Sequence, residues 1–406
     1  MRFTRLAAMD FNRAAFYCFF AVIATLSFSI SLFEITSWVF IGLCLVSMTR
    51  ERRFKVFKNI FFALAMIYLS MNLLSLFNSG YLLTSARGVS KVLKNILVCG
   101  FSFYIVDSKE RLRKVFQSVL ITAFFISADA LIQGLTGFEP LRFRPMTSYL
   151  GTLKRLTGPF GHANDFGAYL SFAAVFYFGA VFTFRGSFSK KFRCVLILGF
   201  LLSALCLAGT YSRGAWLGVA GALVFLAVLN KSRALFLLIL AGLLWGVFLA
   251  PAPLRVRAVS LFDVKNGTIL ERKELWQTSL RMIRQSPVLG LGVNTYARNE
   301  PLFKDKELKL DDQYAHNGYL QMAAEIGLAG LASFLALIVY FYARTLRVFF
   351  RCRDDFLKRA GFTLLGGVLA FLIHSATDTN LQSILLVNSL WMVMGIGLAA
   401  AELAAI

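Results

Sequence analysis

Histidine is scarce in this chain, with three in 406 residues, at positions 162, 316 and 374. Acidic side chains are also few, 21 Asp and Glu against 43 Lys and Arg. The six cysteines, Cys18, Cys44, Cys99, Cys194, Cys206 and Cys352, fall in apolar runs or in a basic loop. None has CxxC spacing and none lies in the longest polar loop, which argues against disulfides and against a cysteine-bound metal. Three dispersed histidines form no His-rich metal site, so neither metal nor cofactor is expected. A nucleotide loop is missing too: Gly290-Leu291-Gly292 lacks a third glycine and a preceding strand, and reads as a turn. No internal repeat or low-complexity tract is present. Nor is a cleavable signal peptide expected, because the basic segment 1–13 runs into a stretch that reads as a retained first span.

What is abundant is apolar surface. The chain is 58% hydrophobic, with a mean hydropathy of +0.68. Continuous apolar runs of about twenty residues predict an all-α integral membrane protein, because a transmembrane β-barrel would alternate instead. Twelve transmembrane helices are expected, near 14–31, 35–49, 59–77, 88–106, 115–135, 164–184, 194–210, 214–230, 234–250, 317–342, 361–376 and 382–402. The fourth is weakest, because Lys91 and Lys94 sit in its first turns. They either snorkel to the interface, or residues 85–95 lie on the membrane surface.

The net charge of +22 would suit nucleic acid, but its distribution does not. Basic clusters at 50–58, 109–114, 185–193, 231–233 and 344–359 alternate with the spans and land on one side, together with Arg2, Arg5 and Arg13. The positive-inside rule assigns that side, and both termini, to the cytoplasm. Residues 1–406 then form one transmembrane domain. The opposite face receives two loops, 136–163 and 251–315. The second is a large external insertion between spans nine and ten. Its segment 270–285 places Leu275, Trp276, Leu280 and Ile283 on one helical face, ended by Pro287, as expected of a helix along the outer leaflet.

Four polar constellations fall on the external side. In the stretch 314–325, His316 precedes span ten, while Asn317, Gln321 and Glu325 recur every four residues on one face. A polar stripe entering a membrane should face protein or a wet cavity. A helix N-terminus disfavours imidazolium, which suits His316 as a base; the plainer reading is an interfacial cap. Arg213 lies in the tight turn Thr210-Tyr211-Ser212-Arg213-Gly214, where it either binds an anion or snorkels. Arg272, with Lys273, opens the amphipathic segment and either grips phosphate or forms a solvated face. Arg155 and Asn164 bracket a Gly/Pro-rich stretch at the start of span six. His162 there reads as a turn or cap residue. His374 and Asp378 read as a buried structural pair, although polar groups inside a membrane are functional suspects by default, and Asp129 in span five is open to the same two readings.

Arginines held at a membrane surface beside one base suit a diphosphate that leaves while an incoming hydroxyl is deprotonated. A substrate with its diphosphate at the surface and its tail in the bilayer is a lipid-diphosphate-linked sugar. The stretches RLTGPFGHAN (155–164), TYSRG (210–214), the basic helix with SPVLGLG (272–292) and HNGYLQMAAEIG (316–327) resemble the O-antigen ligase and O-antigen polymerase superfamily, in the family's order. The resemblance implies an enzyme of the bacterial inner membrane, with its active site on the periplasmic side. It would move a glycan, with inversion, from undecaprenyl diphosphate to an acceptor hydroxyl, without metal. It also implies His316 as the base that activates the acceptor and Arg213 and Arg272 as diphosphate ligands. Arg155 is added as a further ligand, with Asn164, Asn317, Gln321 and Tyr314 in support.

Two acceptors fit this chemistry. Ligation onto lipid A–core is the leading expectation, and polymerisation of lipid-linked repeats is the nearest rival. A transporter of lipid-linked glycan or solute is the rival from another class. It would place polar residues near the bilayer midplane in broken, repeat-related helices, which this pattern lacks.

Overall fold

The computed structural model describes residues 10–260, 267–305 and 314–406. Arg2 and Arg5, and parts of the large external insertion, lie outside the described residues. The architecture is all-α. Its helices are α1 (Phe11–Thr25), α2 (Ile30–Glu51), α3 (Ile60–Leu74), α4 (Leu82–Ile105), α5 (Lys109–Thr136), α6 (Ala163–Phe182), α7 (Lys190–Gly209), α8 (Arg213–Leu229), α9 (Arg233–Leu244), α10 (Ala252–Val259), α11 (Gly267–Gln285), α12 (Tyr296–Phe303), α13 (Gly318–Arg351), α14 (Asp355–Ser375) and α15 (Ile384–Ala405). Among the described residues, nine helices are long and apolar enough to cross a membrane. Three shorter apolar helices, α1, α8 and α9, coincide with the remaining expected spans. The ninth expected span ends irregularly, in a π-helical turn at Trp245–Leu249.

The centre of the bundle is α14, packed against α6, α8 and α15. Its neighbours α6 and α15 are apolar all round and almost wholly buried, as expected of helices enclosed by others. Peripheral helices keep an apolar outer face instead: Ile35, Trp38 and Val39 on α2, and Ile197, Leu201 and Leu205 on α7, are exposed. That surface suits lipid and makes this a multi-pass membrane protein.

The lysines of the fourth expected span do not break its helix. Lys94 is buried and ion-paired with Glu34 of α2, and Lys91 Nζ donates to Asn294 Oδ1 at 3.1 Å. A buried ammonium is tolerated because it is paired, so residues 85–95 belong to one continuous helix rather than lying on the surface.

At the other end of α5, two short hairpins form, Phe138–Glu139 with Arg144–Pro145 and Tyr149–Leu150 with Leu153–Lys154. Asp129 anchors the first by accepting from Leu141 N at 3.0 Å. Gln133 supports the irregular stretch that follows. It accepts from Thr157 N and Gly158 N, each at 3.0 Å, and donates to Thr157 Oγ1 at 2.9 Å. Non-helical backbone near the membrane is stable only with such partners.

Between α9 and α13 lie α10, α11 and α12. The expected helix at 270–285 is α11. Its buried face carries Leu275, Thr278, Ser279, Met282 and Ile283, whereas Leu280 is exposed. It packs on α13 rather than laying its apolar stripe on the outer leaflet, because α13 offers a protein surface for those side chains.

α13 is kinked at Gly327, whose φ of 72° and ψ of 175° are non-helical. The kink releases two carbonyls and one N–H to the preceding loop: Leu291 N donates to Ala324 O at 3.0 Å and Gly292 N to Glu325 O at 2.9 Å, while Leu328 N donates to Pro287 O at 2.8 Å. Buried Glu325 completes the clasp by accepting from Asn294 N at 2.9 Å and Tyr296 N at 3.2 Å. The Pro287-to-Gly292 stretch is therefore a turn, as read, and it is bonded to the helix that begins just after His316.

Candidate active site

One end of the bundle holds a cavity of about 150 Å³. It is lined by Arg155, Arg213, Arg257 and Arg272, by Glu271 and Asp378, and by His316 and His374, with Asn164, Ser212, Gly214, Thr377 and two leucines between them. Four guanidinium groups against two carboxylates leave two positive charges in excess with the histidines neutral. The backbone adds to this field. Asn164 lies in the first turn of α6, Ser212 to Gly214 open α8, and His316 stands just before α13. Three helix N-termini, each carrying partial positive charge, thus meet at one cavity.

Every arginine but one is held by the backbone. Arg155 Nε donates to Thr210 O and its Nη2 to Asn164 Oδ1, both at 2.8 Å. Arg213 Nη1 donates to Ser260 O at 2.8 Å, and Arg257 Nε to Tyr211 O at 3.1 Å. Arg272, half-buried on α11, makes no hydrogen bond to the described residues. Crowding shows in the electrostatics: burial and the neighbouring Arg213, Arg155 and Arg272 push the Arg257 guanidinium down to about 10. Burial likewise lowers Arg155, with Asp378 opposing and Arg272 adding to the shift. Such mutual repulsion is relieved by an anion.

His316 occupies the left-handed region, with φ 46°, where histidine is tolerated at a cost of order 1 kcal/mol. Its Nδ1 lies 3.3 Å from Asp378 Oδ1, which also accepts from Thr379 N at 2.8 Å. Burial alone would raise the Asp378 carboxyl. The hydrogen bond from His316 and the fields of His316, His374 and Arg272 outweigh it and hold the group well below the usual carboxylate range. Gly318 N donates to Asp378 O at 3.0 Å, so the turn after α14 and the start of α13 move as one piece. His374 lies beneath, with Nε2 at 3.4 Å from Ser212 Oγ. α8 approaches α14 so closely here that a Cβ on Gly214 would stand 2.1 Å from Thr377 Oγ1, so only glycine fits.

The structure therefore brings Arg155, Asn164, Arg213, Arg272 and His316 together and leaves three expected supporting residues off the lining. Asn317 caps α13, accepting from Tyr319 N and Leu320 N at 3.0 and 3.1 Å. Gln321 is buried with its amide nitrogen 3.4 Å from Glu325 Oε1. Tyr314 is exposed. A helix N-cap and an i to i+4 bond use these side chains structurally before any substrate reaches them. His162 takes the N-cap position of α6. Asp378 corrects the sequence reading most: it faces the cavity and bonds to His316 rather than forming a closed pair with His374. Two polar groups at i and i+4 at the end of a span are functional suspects, and that signal was present. Arg257 carried no signal beyond its charge.

Fold and site together define a multi-pass membrane protein with a cationic, histidine-bearing cavity at one end of its bundle. Residues 198–335, from α7 into α13, match the family described as O-antigen ligase. The match supports the O-antigen ligase superfamily, the resemblance that the sequence motifs carried. The matched segment contains Arg213, Arg257, Arg272 and His316, while Arg155, Asn164 and Asp378 lie outside it. No curated protein matches the chain.

Proposed function

We propose that the chain is an inverting glycosyltransferase that moves a glycan from undecaprenyl diphosphate to an acceptor hydroxyl, with lipid A–core as the acceptor. The observation that carries this reading is the shared cavity: four arginines and the His316–Asp378 pair line one space. The arginines bind the diphosphate, Arg213 and Arg272 foremost, with Arg155 and Arg257 adding charge. Asp378 accepts the Nδ1 proton of His316 and so selects the tautomer whose Nε2 carries the lone pair. That nitrogen takes the proton of the acceptor hydroxyl as its oxygen attacks the anomeric carbon. The bond from that carbon to the diphosphate oxygen breaks, and the leaving charge is received by the guanidinium groups. Attack opposite the leaving group inverts the anomeric centre. The polar groups gather at one end of the bundle, which supports an enzyme over a transporter with a midplane site.

The test is reconstitution with lipid-linked donor and two competing acceptors, a lipid A–core and a second lipid-linked repeat. Wild-type protein should glycosylate the lipid A–core, and His316→Ala, still membrane-inserted, should lose about 10²-fold or more in rate. A product made only from lipid-linked repeats makes the protein a polymerase. Full activity in the variant removes the base, and no transfer by wild-type protein removes the enzyme reading.

A further inference from the structure

The cationic cavity holds one charged side chain that the transfer step above does not use, Glu271. It lies near the start of α11 and lines the cavity together with Arg272 and, one turn on, Leu275. The three differ in depth. Glu271 is exposed, Arg272 is half-buried and Leu275 is 2% exposed. Arg213, Asp378 and His374, on the same lining, are buried as well. Glu271 therefore stands at the mouth of the cavity, open to a molecule arriving from outside.

A carboxylate is out of place among anion ligands. Four guanidinium groups and three helix N-termini favour a diphosphate, and a negative charge beside them opposes it. Nor does Glu271 serve the arginines as a partner. Among the described residues it forms no ion pair and accepts no hydrogen bond. Other acceptors on the lining are already engaged. Asp378 Oδ1 accepts from His316 and from Thr379 N, and Asn164 Oδ1 accepts from Arg155. Ser212 Oγ faces His374 Nε2. Of the lining carboxylates and amides, Glu271 alone has both side-chain oxygens exposed to solvent and free of any partner among the described residues. Guanidinium groups only donate, so a sugar hydroxyl that must donate its own proton finds no acceptor in them. An ionised carboxylate is the stronger kind of acceptor for it.

We propose that Glu271 binds the acceptor sugar, accepting hydrogen bonds from hydroxyl groups beside the one that His316 deprotonates. The proposal rests on the transferase reading above. Donor glycan and acceptor both carry hydroxyl groups, and charge chooses between them. The donor brings its diphosphate into the same cavity, so a carboxylate that held the donor sugar would repel the phosphates of the same molecule. The acceptor sugar enters without a diphosphate and meets no such conflict. One cavity then works by two opposite chemistries: guanidinium groups hold the group that leaves, and a carboxylate at the mouth holds the sugar that replaces it.

The experiment uses the reconstituted full chain with lipid-linked donor and lipid A–core. Initial rates are taken at varied acceptor with donor saturating, then the reverse, for wild type, Glu271→Ala, Glu271→Gln and Glu274→Ala. Glu271 is exposed on a helix, where alanine is well tolerated, so melting in detergent should match wild type. Glu271→Ala should raise acceptor KM about tenfold, while donor KM stays level or falls because a repelling charge is gone. Glu271→Gln keeps an acceptor oxygen without the charge and should fall between. Glu274→Ala removes an equal charge from the same helix, at a side chain off the lining, and should leave acceptor KM at the wild-type value. Wild-type acceptor KM in folded Glu271→Ala overturns the proposal, and so does a rise in donor KM. An equal rise in acceptor KM for Glu274→Ala reduces the effect to a long-range field and overturns the contact. Lowered melting with both KM values raised shows a structural role and overturns it as well. Failure of wild-type protein to transfer any glycan is the separate failure of the parent reading.

Discussion

His316 and Asp378 show how much a single contact sets. The 3.3 Å approach of His316 Nδ1 to Asp378 Oδ1 orients an imidazole that stands in a strained backbone conformation. Asp378→Asn keeps the shape but no longer holds the Nδ1 proton as an anion does. We expect kcat to fall about 10²- to 10⁴-fold with donor KM little changed, measured by transfer from lipid-linked donor. A variant with wild-type kcat would reduce Asp378 to a packing residue. The linkage has a definite sign. Because its folded-state carboxyl is held below the ordinary value of 3.8, Asp378 contributes stability in full above that value, and the contribution is lost as pH falls through the folded-state value. Wild-type melting should therefore drop at acid pH more steeply than that of the variant. His316 was legible in the sequence as a scarce residue type at the edge of a span, and Arg213 and Arg272 as charges on the external side. The partnership of His316 with Asp378, 62 residues away, was not, because it exists only once α13 and α14 have packed.

The element that secures this geometry is the kinked α13. Helices were readable from hydropathy alone, because a bilayer demands about twenty apolar residues wherever the chain crosses. The clasp was not. Gly290-Leu291-Gly292 reads as a turn and residues 317–342 as uninterrupted helix, and only the tertiary hydrogen bonds from Leu291 and Gly292 to Ala324 O and Glu325 O explain both. Gly327 adopts a conformation open essentially to glycine alone, and a Cβ there would lie 2.0 Å from Val288 O. Gly327→Ala should destabilise the protein by about 1–3 kcal/mol or more and lower activity, since His316 rides on the same helix. Gly42→Ala is the control: a Cβ at that helical position meets nothing within 4 Å, and alanine favours helix over glycine. Melting in detergent compares the two. Equal melting of Gly327→Ala and wild type would show that the clasp contributes nothing to the fold.

At the scale of the whole molecule, the two ends differ in charge and in work. One end carries the basic clusters, tied together where Lys109 of α5 pairs with Asp354 beside α14. The opposite end carries the site, tied where Arg155 reaches Thr210, Arg213 reaches Ser260 and His316 reaches Asp378. This polarity was visible in the sequence, because charges between spans are sorted by side whatever the helices do inside. The order of the interior was not visible: α6, α14 and α15 are as apolar as the peripheral helices, and hydropathy cannot say which apolar helix faces lipid. Because positive charge favours the cytoplasmic side, we propose that the site lies on the periplasmic face, where a lipid-linked glycan would meet it. Single cysteines in a cysteine-free background test this orientation. Phe143→Cys, at a position 80% exposed in the loop that also carries Arg155, should react with a membrane-impermeant maleimide in intact spheroplasts. Arg53→Cys, at an exposed position in the first basic cluster, should react only after the membrane is permeabilised. The reverse pattern would put the cationic cavity on the cytoplasmic side, away from any acceptor in the outer leaflet, and ligation to lipid A–core would fall with it.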